Sequence, residues 1–126
     1  MATTPSSVDA DETTTLIGSD KVEGTTVYNF SGDRVGTIER VMIDKIGGRV
    51  AYAVMSFGGF LGVGSDYYPV PWSLLKYNEQ LGGYEVNLTE AQLKGAPKFS
   101  KDEAWAYGSR DREAQLYSYY NVTPYW

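Results

Sequence analysis

VGTIERVMIDKIGGRVAYAVMSF, residues 35–57, reads as two β-strands around one turn. Val, Ile, Thr, Tyr and Phe recur through both arms, and these residue types suit a pleated, half-buried surface. Gly47-Gly48 supplies the turn. In the first arm, Val35 to Asp44, Ile38 falls on one parity and Val41 and Ile43 on the other. Strand side chains alternate with a period of two, so one buried face cannot hold all three. A bulge near Glu39 and Arg40 restores the pattern. The second arm, Val50 to Phe57, is apolar on both parities. Such a strand is central, or covered on its outer face. The cover has to come from the C-terminal segment or from another subunit.

Working outward, Val22 to Phe30 is a strand rich in Thr, Val, Tyr and Phe, and Ser31-Gly32-Asp33 turns it into the Val35 arm as a hairpin. On the other side, residues 58–64 form a glycine-rich, partly apolar loop whose Phe60 and Leu61 fold inward or meet a partner. Its glycines have neither Gly-x-Gly-x-x-Gly nor P-loop spacing, and no Lys-Ser/Thr follows, so it is not read as a phosphate cradle. Tyr67 to Trp72 is a short strand. Pro69 and Pro71 alternate in it and remove every second donor along one side, which suits an edge or a barrel end. Ser73 to Asn78 and Tyr84 to Leu88 form a last hairpin around Gly82-Gly83. Thr89-Glu90-Ala91-Gln92 is a capping box, with Leu88 and Leu93 as its hydrophobic staple, and Gly95 stops that helical turn.

Beyond it, a second capping box at Ser100-Lys101-Asp102-Glu103 opens a turn that carries Trp105 and ends at Gly108. Arg110 to Tyr120 is a further helix, with Glu113, Leu116, Tyr117 and Tyr120 on one face. Seven of the chain's 18 aromatic residues lie in its last 22 positions. That density calls for packing on the barrel or on another chain. Residues 1–20 are small, polar and acidic, with too little apolar surface to offset the cost of ordering, and read as a flexible tail that only Leu16 and Ile17 could anchor.

At 126 residues, 42% of them hydrophobic, the chain is one domain with tails. It holds no Cys and no His. Disulfides, thiolate metal sites, thiol nucleophiles and imidazole catalysis are thereby excluded. The net charge of −5 is uneven: residues 1–23 carry five acids against Lys21, and the rest is close to neutral. A near-neutral body offers no basic field to phosphate backbones, so no nucleic-acid partner is expected. No stretch approaches the roughly 18 apolar residues of a membrane span. The N-terminus shows no charged-then-apolar signal pattern, so the expected location is the cytoplasm.

Asp44, at a strand end beside the double glycine, is the most suggestive carboxylate, and it reads as an acceptor for turn N–H groups. Asp66 beside Tyr67 and Tyr68 reads similarly. Ser73 has no imidazole to activate it. A metal would have to be held by oxygen ligands alone, and no Asp-x-Asp-x-Asp-Gly loop is present. Catalytic residues, metal ligands and cofactor-binding residues are therefore expected to be none. Asn87-Leu88-Thr89 and Asn121-Val122-Thr123 match the glycosylation sequon, which carries weight only with a secretory signal.

With the strand order, Gly36 and Asp44 in the second strand, the Gly47-Gly48-Arg49-Val50 turn and Val70-Pro71-Trp72, the chain resembles the PRC-barrel domain family. The family is named for the cytoplasmic barrel of the photosynthetic reaction-centre H subunit, and a related barrel forms part of a ribosome-maturation factor. The resemblance covers residues 21–95, and the terminal Tyr-Tyr-Asn-Val-Thr-Pro-Tyr-Trp is similar to the tail of some stand-alone bacterial members. It implies an all-β fold, a small, strongly bent antiparallel barrel of about six strands, here with a short helical C-terminal extension over 96–126. It implies protein–protein contact and no shared catalytic machinery. Without a membrane span or a preceding RNA-related domain, neither a complete H subunit nor a full maturation factor is expected.

The leading expectation is a non-enzymatic interaction or scaffold module that self-associates as a dimer. Its candidate surface is Phe60, Leu61, Trp72, Trp105, Tyr117, Tyr120, Tyr125 and Trp126. A Trp that follows Pro69-Val70-Pro71 and precedes Leu74 and Leu75 more often closes a barrel end than meets a partner. An RNA- or ribosome-associated factor, and a small-ligand binder or enzyme without a recognisable motif, are the alternatives.

Overall fold

The computed structural model describes residues 15–57, 66–100 and 110–126. A short helix α1 (Ser19–Val22) precedes strands β1 (Thr26–Asn29), β2 (Arg34–Ile43), β3 (Val50–Phe57) and β4 (Asp66–Pro71). A 3-10 turn (Trp72–Leu74) leads into β5 (Lys76–Asn78) and β6 (Gly83–Val86). Helix α2 (Glu90–Lys94), the two-residue β7 (Phe99–Ser100) and helix α3 (Arg110–Tyr119) complete the chain. The molecule is therefore mostly sheet, with a few helices. No helix among the described residues is long and apolar enough to cross a membrane.

The central hairpin forms as its sequence dictates. The β2–β3 ladder passes from Ile38↔Met55 to Arg40↔Val54, so Glu39 is the extra residue of a bulge. That insertion returns Val41 to the side of fully buried Ile38, and both join the main core. A second irregularity, between Met42 and Ile43, skips Ala51 on the facing strand. Ile43 is left 52% exposed. The turn closes on Asp44, and Gly48 has φ +75°, a left-handed conformation that suits glycine.

The strands form one sheet in the order β5-β6-β1-β2-β3-β4-β7, which places β3 between two long neighbours. Two expectations are corrected. The first strand is shorter than Val22 to Phe30: Val22 closes α1, whose Lys21 and Val22 amides donate to the Gly18 carbonyl. The sheet is also not wholly antiparallel, because β1 and β6 pair in parallel through Val27↔Tyr84, Tyr28↔Glu85 and Asn29↔Val86. Alternation along a strand reports which face is buried, not which way its neighbour runs. The ladder is open, ending at β5 on one side and β7 on the other. Tyr67 pairs with Phe99 of β7, and that register stops short of Pro69 and Pro71, where donors are missing.

The main core gathers Val27, Val35, Ile38, Ala53, Met55, Tyr68, Val70, Tyr84 and Val86 from five strands and Leu75 from the join before β5, with Leu93 from α2. Helix α2 is held there by the expected capping box. The Thr89 hydroxyl accepts from the Gln92 amide at 3.1 Å, and Gln92 Oε1 accepts from the Thr89 amide at 2.7 Å. Leu88 and Leu93 both reach the core. Residue Ile17, N-terminal to α1, also packs against it.

Candidate functional site

The outer face of β3 carries Ala51, Tyr52 and Val54, all buried, in a second apolar cluster away from the main core. Its cover is the C-terminal segment of the same chain. Leu116 and Tyr117 of α3 are buried against it, and Tyr120, Val122 and Tyr125 pack at its margin with Met42 and Tyr67. The face read from the sequence is the face that is used: Glu113, Leu116 and Tyr117 are the buried residues of α3, and Tyr120 is half-buried at its end. The Tyr117 hydroxyl donates to the Ala51 carbonyl, fixing the helix on the strand where the ladder skips that residue.

The segment then reverses. Asn121 has φ +57°, its amide donates to the Ser118 carbonyl at 3.1 Å, and the Val122 amide donates to the Tyr117 carbonyl at 2.9 Å. This is a Schellman stop with Asn in the left-handed position, and Val122 and Tyr117 belong to the same apolar cluster. The reversal brings Val122 to Trp126 back toward the β2–β3 turn. Arg49 Nη1 donates to the Tyr125 carbonyl at 3.4 Å. The Tyr125 hydroxyl donates to Glu113 Oε2 at 3.1 Å, and Arg110 lies 3.9 Å from the other oxygen of that buried carboxylate. The Arg110 guanidinium sits 4.1 Å from the Trp126 ring centroid, within cation–π reach. Trp126 is 5.3 Å from Tyr117 and 5.0 Å from Tyr125, ring to ring.

Electrostatics follow the burial. Desolvation pushes Tyr117 and Tyr120 well above the usual phenol range. Tyr125 is also raised, first by burial and then by the Glu113 charge it faces. Asp44 shifts the other way. Its carboxylate accepts from the amides of Gly47, at 2.9 Å, and Ile46, at 2.8 Å, and these bonds hold its pKa below the ordinary value, with smaller help from Tyr125 and Arg110. Asp44 is thus a turn acceptor, as its position in the sequence indicates. At the far end of α3, the Tyr119 hydroxyl donates to the Gln92 carbonyl at 2.7 Å and ties the cover to α2.

Of the candidate surface residues, Tyr117, Tyr120, Tyr125 and Trp126 come together in this cover. Trp72 does not join them. It is half-buried against the main core, with its ring 5.4 Å from that of Tyr84. Phe60, Leu61 and Trp105, with the capping box proposed at 100–103 and the glycine-rich loop, lie outside the described residues or their described side chains. Ser73 is exposed in the 3-10 turn. Among the described residues, no three acidic side chains gather as a metal site would require. The sequence reading missed the Arg110–Glu113–Tyr125–Trp126 cluster. One signal was available: Asn121, three residues before a proline, marks a helix stop that folds the last residues back.

The family model described as PRC-barrel domain matches residues 15–93, from before α1 into α2. Helix α3 and the returning tail lie beyond that match. An uncharacterized protein of Deinococcus radiodurans is 24% identical over 93 residues, which are 74% of this chain and 33% of that protein. The chain therefore spans about a third of the length of this relative.

Proposed function

Since the chain belongs to the PRC-barrel domain family, we propose that it is a non-enzymatic protein-interaction module that self-associates through its C-terminal aromatic segment. One observation carries the reading. The segment seals the outer face of β3 with buried Leu116 and Tyr117 while leaving Tyr119 44% and Trp126 47% exposed. Tyr119 has its hydroxyl held on Gln92, and Trp126 has its ring held against Arg110 and Tyr117. Rings fixed before contact lose little freedom on binding, and Tyr and Trp are enriched among residues that dominate interfaces.

The same premise supports a finer reading of the fold. We infer that the open ladder is bent into a small barrel, because one core collects side chains from β1, β2, β3, β4 and β6 and from α2. A flat sheet could not turn them to a common interior. On this reading residues 21–95 are the barrel, 1–20 an acidic tail and 96–126 the aromatic extension.

Sedimentation velocity across a concentration series tests the function. The full chain is expected to form a dimer burying at least about 1,000 Å² in total. Tyr119→Ser with Trp126→Ser should shift it to monomer. A full chain that stays monomeric throughout and retains no protein partner overturns the proposal.

A further inference from the structure

We propose that the tip of the β2–β3 hairpin docks on an anionic lipid surface. Ile46, in the turn, is 98% exposed and stands clear of its neighbours. Two more large apolar side chains sit at the same end: Ile43, 52% exposed where β2 finishes, and Trp126, 47% exposed and carried there by Tyr125, whose carbonyl accepts from Arg49.

The charge of this end opposes that of the chain. Four cations, Lys45 and Arg49 in the turn and Arg110 and Arg112 in the first turn of α3, accompany three acids, Asp44 at the turn and Asp111 and Glu113 in that first turn, in a chain whose net charge is −5. Two of those acids are turned inward. Asp44 spends its carboxylate on the Ile46 and Gly47 amides, and Glu113 is buried under Tyr125 and Arg110. Lys45 and Arg49 are exposed on either side of Ile46. The tip is also preorganised, by the Asp44 bonds and by the left-handed Gly48, so it can enter an interface without rearranging.

A protruding apolar residue with a cationic collar fits a headgroup layer better than a protein surface. A stable protein contact needs about 800 Å² of complementary surface on each partner. A lipid interface accepts a single convex tip, attracts Lys and Arg, and favours Trp at the depth where its ring is half immersed.

The test is co-sedimentation of the full chain with vesicles of mixed phosphatidylglycerol and phosphatidylcholine, and of phosphatidylcholine alone. Expected are binding to the mixed vesicles that weakens as salt rises, and weaker binding to the neutral ones. Ile46→Asp should lower partitioning about tenfold or more. Lys45→Glu should lower binding to the anionic vesicles more than to the neutral ones. Neither side chain has a packing role, and circular dichroism would verify that both variants fold. No vesicle binding by the full chain, or binding unchanged in Ile46→Asp, overturns the proposal. If Ile46→Asp instead abolishes association between chains in the absence of lipid, the tip belongs to a chain–chain interface and the lipid assignment is wrong. The substituted side chains, Ile46 and Lys45, are not those of the self-association test, Tyr119 and Trp126, so failure here leaves the self-association reading to its own test.

Discussion

Gly36 has no room for a side chain. A Cβ there would run into the Ser56 carbonyl oxygen and lie 2.9 Å from Met55 Cγ, on the strand opposite. The obstacle is backbone, which cannot swing aside. Gly36→Ala should cost about 1–3 kcal/mol, as overpacking of a tight contact does, and chemical denaturation would measure it. Asp44 is the second residue with a sharp expectation. Its folded pKa lies below its ordinary value because the Gly47 and Ile46 amides favour the anion. A lowered carboxylate pKa contributes stability above the unfolded value and loses it as pH falls through the folded one. Wild-type stability should therefore drop more steeply below about pH 4 than that of Asp44→Asn, which keeps an acceptor without a charge. Thermal unfolding between neutral and strongly acid pH would check this. Equal slopes would remove the Asp44 carboxylate from the account. The role of Asp44 was legible in the sequence because a turn donor–acceptor pattern is local. The clash at Gly36 was not, since it depends on which residue lies across the ladder.

At the scale of elements, β3 decides the architecture. Its sequence is apolar on both parities, and the structure buries both sides, one in the main core and one under α3. The sequence demanded a cover without saying whose. Helix α3 meets that demand with fully buried Leu116. Leu116→Ala should cost about 2–5 kcal/mol, measured by denaturation, since the cavity opens between two fixed surfaces. Tyr117→Phe removes a bond to the Ala51 carbonyl and should cost about 0.5–1.5 kcal/mol. The Tyr117 pKa is raised in the folded chain, so its contribution is complete below the unfolded phenol value of about 10 and is lost as pH climbs beyond it. Near-ultraviolet circular dichroism should report the cover loosening at alkaline pH. The loosening should be smaller in Tyr117→Phe with Tyr120→Phe, and a variant that loosens as readily as wild type would contradict the assignment. The periodicity of Arg110 to Tyr120 showed which face of α3 is buried. It could not show the return of Val122 to Trp126, which rests on a single left-handed Asn.

At the scale of the whole molecule, a small sheet is sealed on two sides by different parts of one chain. The inner side closes with α2, inside the family match, and the outer side with α3, beyond it. The succession of β1 to β6, the bulge at Glu39 and the α2 cap were readable, because each is written in contiguous residues, whereas the two-residue β7 was not read. The parallel β1–β6 pair was not, because strand direction is set by how the intervening chain crosses the sheet rather than by either strand. The aromatic cover lies between these cases: its composition was conspicuous and its partner was open.

The central claim is that this cover belongs to the chain it covers. Isotope-filtered nuclear Overhauser measurements on an equal mixture of labelled and unlabelled protein address it directly. The account predicts contacts from the Leu116 methyls and the Tyr117 ring to the Val54 methyls within each chain, at every protein concentration. Contacts that appear only between differently labelled chains would contradict it, and would assign the helix that seals β3 to a second molecule.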